Sequence, residues 1–394
     1  MSGRDVVIVS AARTPVGRFL GGLATIPAPH LGSIAIAEAV RRAGLEKDAV
    51  SEVIMGNVLS AGLGQAPARQ AAIHAGLPHS VPATTVNKMC GSGLKAAILG
   101  AQAIALGDAD IVVAGGFESM SGAPYLLTKA RTGYRLGDDR LVDSILSDGL
   151  VDAYQHVHMG NCAELLAREY RISRAEQDDF ARLSYSRALS AIDKGRFAEE
   201  IVPVEVPQPK GEPALVAEDE EPRRVDFEKL GRLRPAFEEN GTVTVANASS
   251  NSDGGAAVVL AAAEVAARSG WRPLARIVGY AGAAMAPEWF TIAPAHATRL
   301  LLEKVGWSKD DVDLYEINEA FAAVIIGVTR DLGIGTDRVN VHGGAVAMGH
   351  PIGASGARIL TTLLYAMPRY EARRGIAAIC LAGGEAVAMA VERI

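Results

Sequence analysis

Ser92-Gly93-Leu94-Lys95 and Ser355-Gly356-Ala357-Arg358 lie 263 residues apart, and each opens an Ala- and Leu-rich stretch with apolar residues at helical spacing. Three further pairs keep the same order at nearly the same shift. Val7 and Ile277 begin apolar runs. Asn57, after Val-Ile-Met-Gly, parallels Asn318, after Leu-Tyr-Glu-Ile, and Ala114-Gly115-Gly116 parallels Ala382-Gly383-Gly384. Self-similarity in a fixed order predicts two copies of one α/β unit, at residues 1–120 and 271–394.

Working outward, the runs Val6–Val9, Ile111–Val113, Arg276–Gly279, Leu314–Ile317 and Ile376–Cys380 predict strands. The patterns Ser33–Ala43, Gly91–Leu106, Thr298–Val305, Glu319–Leu332 and Ser355–Met367 predict helices. Alternating strands and helices imply α/β layers. Residues 121–250 read differently, with charged helical patterns at Glu164–Tyr170 and Arg174–Asp193, an acidic Pro-punctuated stretch from Pro203 to Glu221, and a basic cluster at Arg223, Arg224, Lys229, Arg232 and Arg234. They predict an inserted excursion between the copies.

With 394 residues, 49% hydrophobic and 21% charged, the chain has the profile of a core-forming globular protein, which excludes disorder. A net charge of −6 argues against a nucleic-acid partner, whose phosphates such a field repels. Cys90, Cys162 and Cys380 are far apart and lack metal-ligand spacing, so neither a disulfide framework nor a metal site is expected, and a reducing cytoplasm fits. The N-terminal run from Met1 enters a β-like stretch directly, as an unexported chain would. Apolar stretches such as Gly255 to Ala267 are too short for a bilayer and carry Glu264, so no membrane span is expected.

Cys90 sits in Val86-Asn87-Lys88-Met89-Cys90-Gly91-Ser92-Gly93-Leu94, at the mouth of a helix. The positive end of the helix dipole and its free N–H groups there favour a thiolate and supply an oxyanion site, although a buried cysteine is the commoner fate. His350 lies in the Gly-rich segment His342 to Gly356, where an imidazole can serve a thiol as base, or stand in a capping turn. Cys380 ends a strand, as a core residue or as an acid or base. Asn318 stands at a strand-to-helix turn, either as an N-cap or holding a water or a substrate oxygen. All four map to strand ends of the duplicated units, which in α/β sheets form one ligand-binding rim.

The segments Ser10-Ala-Ala-Arg-Thr-Pro15, Asn87-Lys-Met-Cys-Gly-Ser-Gly93, Gly115-Gly-Phe-Glu-Ser-Met120, Asn318-Glu-Ala-Phe321, Asn340-Val-His-Gly-Gly-Ala-Val-Ala-Met-Gly-His-Pro351 and Cys380-Leu-Ala-Gly-Gly384 resemble the thiolase family over essentially the whole chain. The resemblance implies the thiolase fold, in which two βαβαβαββ halves form an α-β-α-β-α layered sandwich with an inserted loop domain at 121–250. The first half is then completed by about 251–270. It also implies a homotetramer or a dimer.

Position by position, Cys90 resembles the nucleophile that carries the acyl group and His350 its base. Cys380 resembles the residue that handles the α-proton of the second acetyl-CoA. Asn318, through a water, and His350 resemble one oxyanion hole, and the backbone N–H groups of Cys90 and Ala382 the other. The implied reaction is the reversible Claisen condensation of two acetyl-CoA to acetoacetyl-CoA and CoA, with CoA as substrate and product and no other cofactor. The alternative is a longer-chain 3-ketoacyl-CoA thiolase. Tyr154-Gln-His-Val-His158-Met159-Gly160 resembles the short-chain type, in which Met159, Phe237, Phe290 and Phe321 crowd the acyl pocket. His158, Leu150 and Ala320 match lining positions, Ser249 a pantetheine contact, and Arg223 the arginine near the adenine.

The chain departs from the family pattern at Ser250–Ser252 within Asn247–Asp253, at Thr291–Ala293, at His342, where asparagine is usual, and at Ala382, where glycine is usual. Alanine keeps its N–H, so the donor is expected to survive.

Overall fold

The computed structural model describes residues 3–394; Met1 and Ser2 of the N-terminal run lie outside the described residues. The first copy runs β1 (Val6–Arg13), a two-residue β2 (Gly17–Arg18), α1 (Ala28–Ala43), β3 (Glu52–Gly56), α2 (Pro67–His74), β4 (Ala83–Val86), α3 (Ser92–Leu106) and β5 (Ile111–Ser119). An excursion follows with a hairpin of β6 (Tyr125–Leu126) and β7 (Val142–Asp143), helices α4 (Met159–Glu169) and α5 (Arg174–Asp193), and a hairpin of β8 (Val204–Val206) and β9 (Ala214–Val216). The chain returns as β10 (Ser252–Ala262) and α6 (Ala263–Arg268). The second copy runs β11 (Ala275–Ala284), α7 (Ala293–Val305), β12 (Leu314–Ile317), α8 (Ala322–Leu332), α9 (Ala345–Met348), α10 (Ile352–Arg369), β13 (Arg374–Leu381) and β14 (Glu385–Glu392).

Strand pairing repeats from one copy to the other. In the first, β3 is parallel to β5, and β5, β10 and β1 follow antiparallel; in the second, β12 is parallel to β13, and β13, β14 and β11 follow antiparallel. The apolar stretch at Gly255–Ala267 is thus mainly a central strand, with all of β10 buried. The counterpart of β4 in the second copy has shrunk to a single bridge between Tyr315 and Val339. The two sheets are not separate, because Val7 and Ile8 of β1 pair with Arg276 and Ala275 of β11.

Three apolar cores alternate with the sheets. One lies under α1 and α2, one between the two sheets around α3 and α10, and one under α7 and α8. Each fully buried leucine or isoleucine of the inner core, such as Leu94, Ile98, Leu360 and Leu363, contributes about 1.5–3 kcal/mol relative to exposure. The segment Met89–Leu106 is apolar and long enough to cross a bilayer, and α3 within it packs between the sheets, against α10.

That crossing explains the tetrapeptides with which the two copies announce themselves. A Cβ at Gly93 would lie 2.7 Å from the backbone nitrogen of Ala357, and a Cβ at Gly356 would lie 2.4 Å from that of Leu94. Each glycine faces the residue equivalent to its own neighbour, as a pseudo-twofold axis between α3 and α10 requires.

Candidate active site

A cavity of about 330 Å³ opens between the strand ends of the two copies and the excursion, large enough for a small acyl group and its carrier arm. Cys90, His350 and Ala382 line it, with Ser249, Leu150 and Ala320. His158, Met159, Phe237, Phe290 and Phe321 form the apolar wall. Phe237 stacks on His158 at 4.8 Å between ring centres and meets Phe321 edge-on at 6.1 Å. His158 also caps α4, its Nδ1 accepting the Gly160 N–H at 3.0 Å.

Cys90 is placed by the turn between β4 and α3. Met89 holds φ +46°, a left-handed conformation that costs a non-glycine residue energy and lifts the next side chain out of the helix line. Ser92 secures the turn, its Oγ accepting the Lys88 N–H at 2.8 Å and donating to the Met89 carbonyl at 2.6 Å. The backbone N–H groups of Ala382 and of Cys90 itself face the Cys90 sulfur and favour its thiolate. Ala382 is absent from the residues with positive φ, whereas Gly383 and Gly384 have φ of +91° and +84°. Only those two positions need glycine's conformational freedom, and this is why alanine is tolerated at 382 with its N–H in place.

The helix-mouth argument predicts a lowered thiol pKa, and the structure reverses it. Burial pushes the Cys90 thiol up to about 12, and the nearby Glu118 charge adds to this, against the two N–H groups that favour the thiolate. Burial likewise raises Cys380, which lies fully buried in β13 with the Cys90 charge reinforcing the shift. His350 moves the opposite way, down to about 3, through burial first and the Arg358 charge second. The resting pair is therefore a neutral thiol and a neutral imidazole.

The tautomer of that imidazole follows from its neighbours. Ser355 Oγ donates to the Pro351 carbonyl at 2.9 Å, so at 2.5 Å from His350 Nδ1 it is left to accept, which puts the proton on Nδ1. Nε2 is then a bare acceptor, buried and without a partner. The His350 N–H is held by the Ser250 carbonyl at 2.9 Å and by Ser252 Oγ at 3.2 Å, which gives the unusual Ser250–Ser252 segment a part in seating the histidine. Asn251 adds an amide to the cavity wall.

Asn318 directly follows β12, its N–H bonded to the Ala378 carbonyl of β13 at 3.0 Å. Both Oδ1 and Nδ2 of its side chain are buried with no partner, so it does not cap a helix. The expected helix start at Glu319 is displaced to Ala322. The intervening residues stay extended against 247–249, Ser249 bonding the Ala320 carbonyl through both N–H and Oγ.

Arg223 is not part of the cavity. It is exposed and paired with Glu218 at 2.5 Å and Asp193 at 3.0 Å, while Arg224 and Lys229 pair with Glu221 and Asp226. Within its own span the basic cluster holds only Asp226 and Glu228; Glu218 and Glu221 join it from just upstream, and Asp193 is brought to it by the fold.

Sequence reasoning missed Glu118. This buried carboxylate at the end of β5 accepts from Asn57 Nδ2 at 2.7 Å and from the N–H groups of Val58, Leu59 and Gly353 at 3.0, 3.1 and 2.9 Å. Burial outweighs those donors and raises its pKa to about 7. The Gly115-Gly-Phe-Glu-Ser-Met120 motif contained it, and the repeat had already singled out Asn57.

Residues 6–264 match the family model for the thiolase N-terminal domain and residues 271–393 the thiolase C-terminal domain. The chain is 54% identical over 391 residues to the acetyl-CoA acetyltransferase of Pseudomonas aeruginosa, covering 99% of this chain and 100% of that one. It is 51% identical over 392 residues to the mitochondrial acetyl-CoA acetyltransferase of Rattus norvegicus, covering 99% and 91%. Among solved structures, Bacillus anthracis acetyl-CoA acetyltransferase superposes with TM-score 0.98 at 42% identity over 100% of both chains. A thiolase of Ascaris suum in complex with coenzyme A superposes with TM-score 0.94 at 44% identity, covering 99% of this chain and 100% of that one. Both family domains matched in order, on a fold shared along its full length, mean that this chain belongs to the thiolase family.

Proposed function

We propose that the protein is an acetyl-CoA C-acetyltransferase that joins two acetyl-CoA into acetoacetyl-CoA and CoA, reversibly, through an acetyl-Cys90 thioester. The observation that carries the assignment of roles is the convergence at one cavity of a thiol under two N–H groups and a bare His350 Nε2, with a second, fully buried thiol, Cys380, close enough to feel the charge of the first.

The first acetyl-CoA brings its carbonyl to Cys90. Nε2 of His350 takes the thiol proton as sulfur attacks, and the oxyanion forms under the N–H groups of Cys90 and Ala382. The tetrahedral intermediate expels CoA thiolate, which takes its proton from Cys380. The Cys380 thiolate, a strong base because burial disfavours its charge, then removes the α-proton of the second acetyl-CoA. His350 still holds the proton it gained, so Nε2–H and a water on Asn318 can receive the enolate oxygen. The enolate carbon attacks acetyl-Cys90, and the expelled Cys90 thiolate recovers its proton from His350. Two oxyanion sites are needed because negative charge develops at two places.

No cofactor enters this scheme, in which CoA is substrate and product. The small cavity closed by Met159, Phe290 and Phe321 favours acetyl and acetoacetyl groups over longer chains. Thiolysis of acetoacetyl-CoA beside 3-ketohexadecanoyl-CoA tests this, with equal rates overturning the short-chain assignment.

We further propose a homotetramer acting in the cytoplasm. Its support is the β6–β7 hairpin, which leaves Leu136 100% exposed, Leu141 61% and Leu127 52%, an apolar patch suited to another copy of the chain. Leu136→Asp is expected to lower the mass seen by light scattering. The free cysteines fit a reducing compartment.

A further inference from the structure

Away from the active site, a second cavity of about 220 Å³ lies where α5 meets the segment that begins at Val341. Arg187, Lys194, Arg196 and His342 line it, with the hydroxyl-bearing Ser186 and Ser190. Its cations lack the carboxylates that usually accompany such a cluster. Arg187 is held by the backbone carbonyls of Val339 at 2.7 Å and Thr336 at 2.9 Å, and neither Lys194 nor Arg196 forms an ion pair among the described residues. Two carboxylates close in sequence are already taken, Asp193 by Arg223 and Glu199 by Arg369.

His342 is the second observation. It is 4% exposed, wedged between Phe197 and Tyr370 with ring centres at 5.8 and 5.6 Å, and its buried Nε2 has no hydrogen-bond partner. Burial first, then the charges of Arg369 and Arg196, lower its pKa to about 4, so the ring is neutral at pH 7. A buried polar atom without a partner, beside unpaired cations and hydroxyl donors, is the complement of an oxyanion.

We propose that this cavity binds a small phosphate-bearing anion, free phosphate or a compact phosphate monoester, on Lys194, Arg196, Ser186 and Ser190 with His342 at its wall. Such an anion would tie α5 to the stretch that leads from His342 through α9 to His350, and would stabilise the folded protein in proportion to its occupancy.

The test is calorimetric titration of the full-length protein with inorganic phosphate and, separately, with glycerol 3-phosphate. CoA is kept at saturation, so that any phosphate-binding surface belonging to CoA is already filled. Binding to the unaltered protein, weakened at least about ten-fold in Lys194→Gln/Arg196→Gln at an unchanged thiolysis rate, is the expected result. Phosphate the tighter ligand supports the free ion as the occupant, and the monoester the tighter supports the ester. Absence of binding by both, or binding unaltered in the double variant, overturns the proposal.

Discussion

The two copies carry an asparagine at the same place and treat it in opposite ways. Asn57, past β3, gives its Nδ2 to Glu118 at 2.7 Å, and that carboxylate ties together three further backbone N–H groups. Asn318, past β12, is left with every side-chain polar atom buried and unsatisfied. One copy has closed its strand ends into a brace; the other keeps them open, with Cys380 beside them. At this pair of equivalent positions the duplicated scaffold thus braces one asparagine and leaves the other open, and an unpartnered amide is where the chemistry takes hold.

The sharpest test of that contrast is loss of the two thiols. Cys90→Ala is expected to reduce acetoacetyl-CoA thiolysis about 10⁴-fold or more by removing the nucleophile. Cys380→Ala should also abolish condensation, while mass spectrometry still finds acetyl on Cys90; an unacetylated Cys90 in that variant would contradict the division of labour.

Next come the asparagines themselves. Asn318→Ala is expected to lower kcat about 10²–10³-fold with stability kept, since it deletes no hydrogen bond. Asn57→Ala should instead cost about 1–3 kcal/mol in urea unfolding by removing one of the four donors to the buried Glu118 carboxylate. Equal destabilisation by both would erase the comparison.

Smaller still, Gly93→Ala and Gly356→Ala should each destabilise by about 1–3 kcal/mol through overpacking, and by similar amounts. Unequal costs would show that the axis between α3 and α10 is only approximate.

Least dramatic is a pH profile. With Cys90 near 12 and His350 near 3, thiol and imidazole are both neutral at pH 7. Alkylation of Cys90 by iodoacetamide should therefore be slow there and rise about ten-fold per pH unit to pH 10, following the thiolate fraction. A plateau below pH 8 would mean a preformed thiolate–imidazolium pair.

Much of this architecture was legible in the chain. Leu314–Ile317 and Arg174–Asp193 appear with the boundaries expected, because β-branched runs and helical spacing act locally. What failed was decided by distant contacts. Glu319–Phe321 stay extended because 247–249 claim their backbone. Glu118 was overlooked because its partners come from two other segments, around Asn57 and at Gly353. The Cys90 thiol was misjudged because a helix dipole is visible in sequence and burial is not. The pairing of Arg223 with Asp193, thirty residues earlier, is likewise a contact that only folding makes.

The reciprocal glycines carry a consequence for descent. After a gene doubles in tandem, its two copies ordinarily drift apart wherever selection relaxes, and here they have drifted far enough to lose a strand. At Gly93 and Gly356 drift has no such freedom, because a side chain gained by either copy strikes the backbone of the other. Ancestry stays readable at the contact where the copies have remained each other's environment.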